Sequence, residues 1–181
     1  MIKILGISGS LRKSSFNTAL LQAMIEVSAS AVSMEVKTLH GIPLYDGDLE
    51  EESGVPQAVN ELADALREAD GVILATPEYN NSMPGVLKNA VDWLSRLDDD
   101  VFAGKPLALV GASPGGFGTI MAQDSWLPVL RALQVRFWSQ GRLLVSKAGA
   151  VFDQQGRVVD ARTQTKIAEF VEHFAKSLRK D

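Results

Sequence analysis

Three short segments carry the residue types that chemistry would need. The first is Gly6-Ile7-Ser8-Gly9-Ser10-Leu11-Arg12-Lys13-Ser14-Ser15-Phe16-Asn17-Thr18, a small polar turn that opens into an apolar helical stripe. Such a turn makes an anion cradle. Helix-start amides and the helix dipole favour a phosphate, Gly9 allows close backbone approach, the hydroxyls of Ser10 and Ser15 donate, and Arg12 adds a charge-assisted hydrogen bond. The same serines and asparagine also suit an ordinary helix cap. The second segment, Pro77-Glu78-Tyr79-Asn80-Asn81-Ser82-Met83-Pro84-Gly85, predicts a stiff, extended loop set by its two prolines. Its backbone groups suit the edge of a planar heterocycle, with Tyr79 and Met83 as soft apolar surface beside it. A rigid connection capped at Ser82 is the alternative. The third, Ser113-Pro114-Gly115-Gly116-Phe117-Gly118-Thr119, is glycine-rich, and glycines let a backbone come close to a flat ligand.

Other chemistries find little support. No Gly-x-x-x-x-Gly-Lys-Ser/Thr or Gly-x-Gly-x-x-Gly pattern occurs, so the nucleotide-triphosphate and dinucleotide fingerprints are absent. Gly111-Ala112-Ser113-Pro114-Gly115 has the spacing of a nucleophile elbow, yet Pro114 lacks the N–H that the residue after the nucleophile must supply. Of the two histidines, His40 stands in the wrong chain order and His173 sits among Glu169, Glu172 and Lys176 on a polar helix face. Zero cysteines remove disulfides, thiolate nucleophiles and Cys-based metal sites, so any redox chemistry belongs to a cofactor. The acidic clusters Asp46–Glu52 and Asp98–Asp100 lack calcium-loop spacing and read as solvated loops, with no metal site expected. Lys176, Arg179 and Lys180 at the last helix end complement its dipole.

The elements that must hold these loops are short buried strands alternating with amphipathic helices. Lys3–Ser8, Gly71–Thr76 and Leu107–Ala112 are apolar runs suited to strands covered on both faces; Ser33–Leu39 and Val135–Ser139 are weaker candidates. Helical stripes run through Phe16–Val27, Val55–Leu66, Val86–Leu94, Ile120–Leu133 and Ile167–Leu178, with Pro128 predicted to kink the fourth and Trp126 placed in core or interface. Five strand–helix alternations predict an α/β, doubly wound parallel sheet with helices on both faces. Ligands of such sheets sit beyond the carboxyl ends of the strands where strand order reverses, which is where the three loops fall.

At 181 residues with 46% hydrophobic residues, the chain is expected to form one domain over residues 1–181 with a sizeable core. Eighteen basic against 22 acidic residues, a net charge of −4, give no excess for nucleic acid. No apolar run approaches the ~20 residues of a membrane span, and a cytoplasmic protein without membrane or nucleic-acid partners is expected.

The segments GSLRKSSFN and TPEYNNSMPGVLKNAVDWLSR together resemble the NADPH-dependent FMN reductase family, whose members include quinone and chromate reductases. The likeness extends to IPLYDGDL, the Gly104-Lys105-Pro106 turn and VFDQQGRVVD. It implies a flavodoxin-like three-layer sandwich with a five-stranded parallel sheet, order 2-1-3-4-5, binding FMN non-covalently. By motif position, Ser10, Arg12, Ser15, Asn17 and Thr18 would hold the phosphate. Pro77, Glu78, Tyr79, Asn80 and Ser82 would face the isoalloxazine and ribityl chain, with Ser113, Gly115 and Gly116 on the other side. The implied activity passes hydride from NADPH or NADH through FMN to quinone, flavin, azo or metal-oxyanion acceptors by a ping-pong mechanism, in a homodimer or homotetramer. A flavodoxin-like electron carrier or flavin sensor would carry the same motifs. Ile120–Pro128 departs from the family pattern, and no side chain stands out as a general acid or base.

Overall fold

The strand Gly71–Ala75 is buried at every position, as a run of Gly-Val-Ile-Leu-Ala covered on both faces requires. The computed structural model describes residues 1–179; Lys180 lies outside the described residues. In chain order the elements are β1 (Ile2–Ser8), α1 (Phe16–Val27), β2 (Val32–Lys37), α2 (Gly47–Ser53), α3 (Gln57–Glu68), β3 (Gly71–Ala75), α4 (Gly85–Leu94), β4 (Pro106–Ala112), α5 (Ile120–Ala132), β5 (Arg136–Phe137), β6 (Leu143–Val145), α6 (Ala148–Val151) and α7 (Ala161–Ser177).

The named strands of the sheet pair in parallel, in the order β2-β1-β3-β4-β5, with β6 also on β4. Alternation along the strands divides the core between two helical layers. Ile4, Ile73 and Val110 pack with Leu20, Leu21 and Met24 of α1 and Phe170 and Phe174 of α7. Leu5, Ile7, Val72, Leu74 and Leu109 pack with Leu62 and Leu66 of α3, Leu87 and Trp93 of α4 and Trp126 of α5. Each fully buried Leu or Ile contributes roughly 1.5–3 kcal/mol, so the two layers hold the central strands firmly in register. This is the flavodoxin-like α/β fold. Trp126 belongs to the core, fully buried with its indole N–H donating to Thr76 Oγ1 at 3.1 Å.

Three local expectations need correction. The fifth strand position is not one run over Val135–Ser139. It is split into β5, which pairs with Pro106–Leu107, and β6, which pairs with Val110–Ala112. Trp138 interrupts them by turning into the core against Phe170 and Phe174 at ring-centroid distances of 5.2 and 5.3 Å. The acidic segment Asp46–Glu52 is largely the helix α2, capped by the Asp46 carboxylate on the Asp48 N–H at 3.0 Å, with Asp48 and Glu50 in its favourable first turn. It lacks an apolar stripe because none of its residues is buried. Finally, α4 starts after Pro84 with no side-chain cap, so Ser82 does not cap it.

Candidate active site

The register of the central strands brings the three loops to one rim. Ser8 pairs with Ala75 and Ala75 with Val110, so β1, β3 and β4 reach their carboxyl ends side by side. The rim continues upward through Gly9 N–H to Ala75 O (2.8 Å), Thr76 N–H to Val110 O (2.9 Å) and Ser113 N–H to Val145 O (2.9 Å). Strand order reverses at β1 and β3, which places the rim at the topological switch point of the sheet.

The first loop arranges donors around itself. Ser15, buried, caps α1 by accepting from the N–H groups of Asn17 (3.2 Å) and Thr18 (3.3 Å). Ser10, also buried, accepts from Arg12 N–H at 3.2 Å. Each hydroxyl keeps its own proton to donate outward. Among the described residues, the N–H groups of Lys13, Ser14, Ser15 and Phe16 donate to no protein acceptor, and Arg12, exposed, makes no ion pair. Unspent amides at a helix start, two hydroxyls and a free guanidinium form a donor set that fits a phosphate dianion. Gly9 is also required by packing. A Cβ there would meet Leu87 Cδ2 at 2.8 Å, Pro77 Cδ at 2.9 Å and Ala75 O at 3.0 Å, so its close approach is to the neighbouring loop.

The side chains of Asn17, buried, and Thr18, half-buried, both have hydrogen-bond partners within the protein. The Asn17 carboxamide exchanges two hydrogen bonds with the backbone of Ala112: Nδ2 donates to Ala112 O at 3.0 Å and Oδ1 accepts from Ala112 N–H at 2.9 Å. The peptide groups at the end of β4 are buried and must be paired, and Asn17 pairs them. Thr18 Oγ1 lies 2.7 Å from Ser8 Oγ.

The second loop is not extended throughout. Between its prolines, Tyr79 and Ser82 exchange N–H to O bonds of 3.0 and 3.1 Å, and Asn80 and Asn81 take φ of 51° and 61°. That is a tight hairpin turn of the kind Asn tolerates. Pro77 is buried at its base, its carbonyl accepting from the Thr76 hydroxyl at 3.0 Å, while Tyr79 and Asn80 are exposed at the tip. Glu78 reaches across to α5, where Oε2 accepts from Met121 N–H (2.8 Å) and Ala122 N–H (3.0 Å). The residue preceding α5, Thr119, makes no cap bond of its own. Met83 N–H adds a second tie, to Ser125 Oγ at 3.0 Å.

In the third loop Ser113 Oγ accepts from Gly115 N–H at 3.1 Å, and Gly116 has open space where a side chain would stand. The residues after β6 brace this loop: Lys147 N–H donates to Gly115 O (2.9 Å) and Ala148 N–H to Ser113 O (3.0 Å). Lys147 takes a left-handed φ of 50° to do so. No imidazole faces Ser113. His40 bonds Thr38 and Leu11, and His173 lines a cleft of about 390 Å³ with Trp138, Arg142 and Lys166, away from the three loops. A hydrolytic triad is therefore absent among the described residues.

Sequence reasoning placed α5 from Ile120 but missed that Glu78 caps its start, and it missed the braces at Lys147 and Ala148. An available signal was a glycine-rich loop leading into a helix with no obvious cap, which leaves the cap to come from elsewhere. Among the described residues no group of three or more His, Asp or Glu side chains is placed to hold a metal ion, and no helix is long and apolar enough to cross a membrane.

Comparison with known proteins supports the fold and the family. The model of the family described as NADPH-dependent FMN reductase matches residues 2–150. An NAD(P)H-dependent FMN reductase of Pseudomonas aeruginosa is 45% identical over 168 residues, 93% of this chain and 90% of that protein. A quinone reductase of Escherichia coli K12 is 40% identical over 169 residues, 90% of this chain and 87% of its own. The solved structure of FerB, a flavoenzyme NAD(P)H:(acceptor) oxidoreductase of Paracoccus denitrificans, superposes with a TM-score of 0.87 at 29% identity, covering 98% of this chain and 97% of that one.

Proposed function

Because the chain belongs to the NADPH-dependent FMN reductase family, we propose that its three rim loops bind FMN and that it passes electrons from NADPH or NADH to quinones. It is an oxidoreductase, working with FMN and a nicotinamide nucleotide. The observation that carries the assignment of the site is the donor set of the first loop, with four unspent amides, the Ser10 and Ser15 hydroxyls and an unpaired Arg12 at the switch point.

FMN supplies the redox chemistry, accepting a hydride and passing two electrons on. The chain's part is to bind and orient. Arg12 and the hydroxyls anchor the phosphate. The Pro77–Ser82 hairpin and the Ser113–Gly116 loop would hold the flavin, with Pro77, Glu78, Tyr79, Asn80 and Ser82 from one and Ser113, Gly115 and Gly116 from the other. The unspent N–H groups of Gly116 and Phe117 are fixed donors that can stabilise negative charge at the ring edge without reorganising. No general acid or base is needed. Donor and acceptor would use one open cleft in turn, a ping-pong order. Tyr79, Phe117 and Met121, respectively 49%, 83% and 49% exposed, offer apolar surface there for a flat acceptor or a second copy of the chain. Free flavin, azo and chromate-like acceptors, a homodimer or homotetramer and a cytoplasmic setting belong to the same proposal.

The test is an anaerobic titration of FMN-loaded protein with NADPH and, separately, NADH, followed by flavin absorbance. Stoichiometric bleaching reversed by added quinone is expected. Protein that binds FMN but is bleached by neither nucleotide would be an electron carrier or sensor, and the reading would fall.

A further inference from the structure

The peptide unit joining Leu11 to Arg12 is pinned at both of its polar ends. Its N–H donates to Ser10 Oγ at 3.2 Å, and its carbonyl lies 3.1 Å from His40 Nε2. A carbonyl oxygen only accepts, so Nε2 carries the proton. Nδ1 lies 3.0 Å from Thr38 Oγ1 and, in the neutral ring, accepts its hydroxyl proton. A planar peptide held at both oxygen and hydrogen cannot swing about the flanking bonds, so the direction in which Arg12 leaves the chain is set.

His40 comes from the loop after β2, 29 residues beyond Leu11. Among the described residues, no other side chain from outside the first loop hydrogen-bonds to Ser10–Ser14. Arg12 is exposed and, among the described residues, in no ion pair, and ordering such a long side chain around an anion costs conformational entropy. Fixing its root lowers that cost before the anion arrives.

Resting on the phosphate reading of the first loop, we infer that His40 is a positioning residue for the phosphate end of FMN: it locks the Leu11–Arg12 peptide so that Arg12 is presented to the phosphate. His40 does not touch the cofactor. Its contribution is felt only by a ligand that carries a phosphate and only while Arg12 is present.

The experiment measures dissociation constants of FMN and riboflavin, by equilibrium ultrafiltration, for the parent protein, His40→Ala, His40→Gln, Arg12→Ala and the His40→Ala/Arg12→Ala pair. Apo-protein melting temperatures serve as the folding check. One hydrogen bond at this position is worth about three- to tenfold in affinity. His40→Ala should weaken FMN by that factor and leave riboflavin unchanged. His40→Gln, which keeps a donor for the Leu11 carbonyl, should recover most of the loss. In the Arg12→Ala background, His40→Ala should cost nothing more. Equal weakening of riboflavin, an undiminished effect without Arg12, or no effect of His40→Ala on FMN would each overturn the latch. If Arg12→Ala weakens FMN and His40→Ala does not, only the latch falls. If Arg12→Ala itself leaves FMN binding intact, the phosphate reading falls and the latch with it.

Discussion

Glu78 and Met121, 43 residues apart, are joined by a 2.8 Å hydrogen bond from the Met121 N–H to the Glu78 carboxylate, and the same oxygen takes the Ala122 N–H at 3.0 Å. A side chain of the second loop thus does the capping that Thr119 leaves undone at the start of α5. A carboxylate against the positive end of a helix is favourable twice over, by hydrogen bonding and by the helix dipole. The bond ties the second loop to the helix that follows the third loop.

Removing it should cost stability as well as binding. Glu78→Ala is expected to lose about 1–2 kcal/mol, a drop of several degrees in melting temperature for a chain of this size. Glu78→Gln, which still accepts from both amides, should keep roughly half of the effect. Thermal unfolding of the three apo-proteins by circular dichroism checks this. A Glu78→Ala variant that melts with the parent would show that the cap contributes nothing.

Arg12 is the guanidinium that the first loop offers to an anion, beside the exposed Lys13. Charge-assisted hydrogen bonds to phosphate contribute about 1.5–3 kcal/mol, so Arg12→Ala should weaken FMN roughly 10- to 150-fold. Riboflavin, without the phosphate, should bind the variant as it binds the parent. Flavin fluorescence titration distinguishes the two. Loss of both ligands in parallel would place Arg12 at the ring instead of the phosphate.

The central fold was legible because Lys3–Ser8, Gly71–Thr76 and Leu107–Ala112 are apolar on both faces, and a strand that is buried twice leaves no ambiguity of period. The sheet edge was not. Arg136 and Phe137 are exposed, β6 is three residues long, and only Trp138 turning inward reveals where the edge breaks. At the site, loop chemistry was enough to name Ser10, Arg12 and Ser15 as candidate anion donors. It could not tell that Asn17 serves Ala112, 95 residues away, or that Glu78 serves α5, because such pairs depend on which strands end side by side. The hairpin at Asn80–Asn81 was readable in principle, since consecutive asparagines accept left-handed backbone, but the flanking prolines suggested extension.

The Asn17 clasp gives a third expectation. Asn17 is buried, and its carboxamide is the partner of both Ala112 backbone groups. Asn17→Ala would leave a buried N–H and C=O unpaired, at about 1–3 kcal/mol each. A loss of about 2–4 kcal/mol in urea unfolding is expected, larger than for Glu78→Ala because the groups left behind are shielded from water. Asn17→Asp should be at least as damaging, since it sets a carboxylate oxygen against the Ala112 carbonyl.

Acid should unfold the protein partly through α7. Asp160 caps that helix, its carboxylate accepting from Thr163 Oγ1 at 2.6 Å and Thr163 N–H at 2.8 Å, and these bonds hold its pKa below the ordinary value of 3.8. The Arg157 N–H, first among its donors, does the same for Asp153. A carboxylate whose pKa is lower in the folded state stabilises that state fully above its unfolded pKa. The contribution is lost as pH falls through the folded value. Stability from these two groups should therefore be level from neutrality to about pH 5 and decline below about pH 4. Asp160→Asn retains a cap acceptor but does not titrate, so its stability at neutral pH should be somewhat lower and its acid slope shallower. Plotted against pH from urea melts, the parent and variant curves should converge at the acid end. A constant gap between them down to about pH 2 would show that the Asp160 charge plays no part.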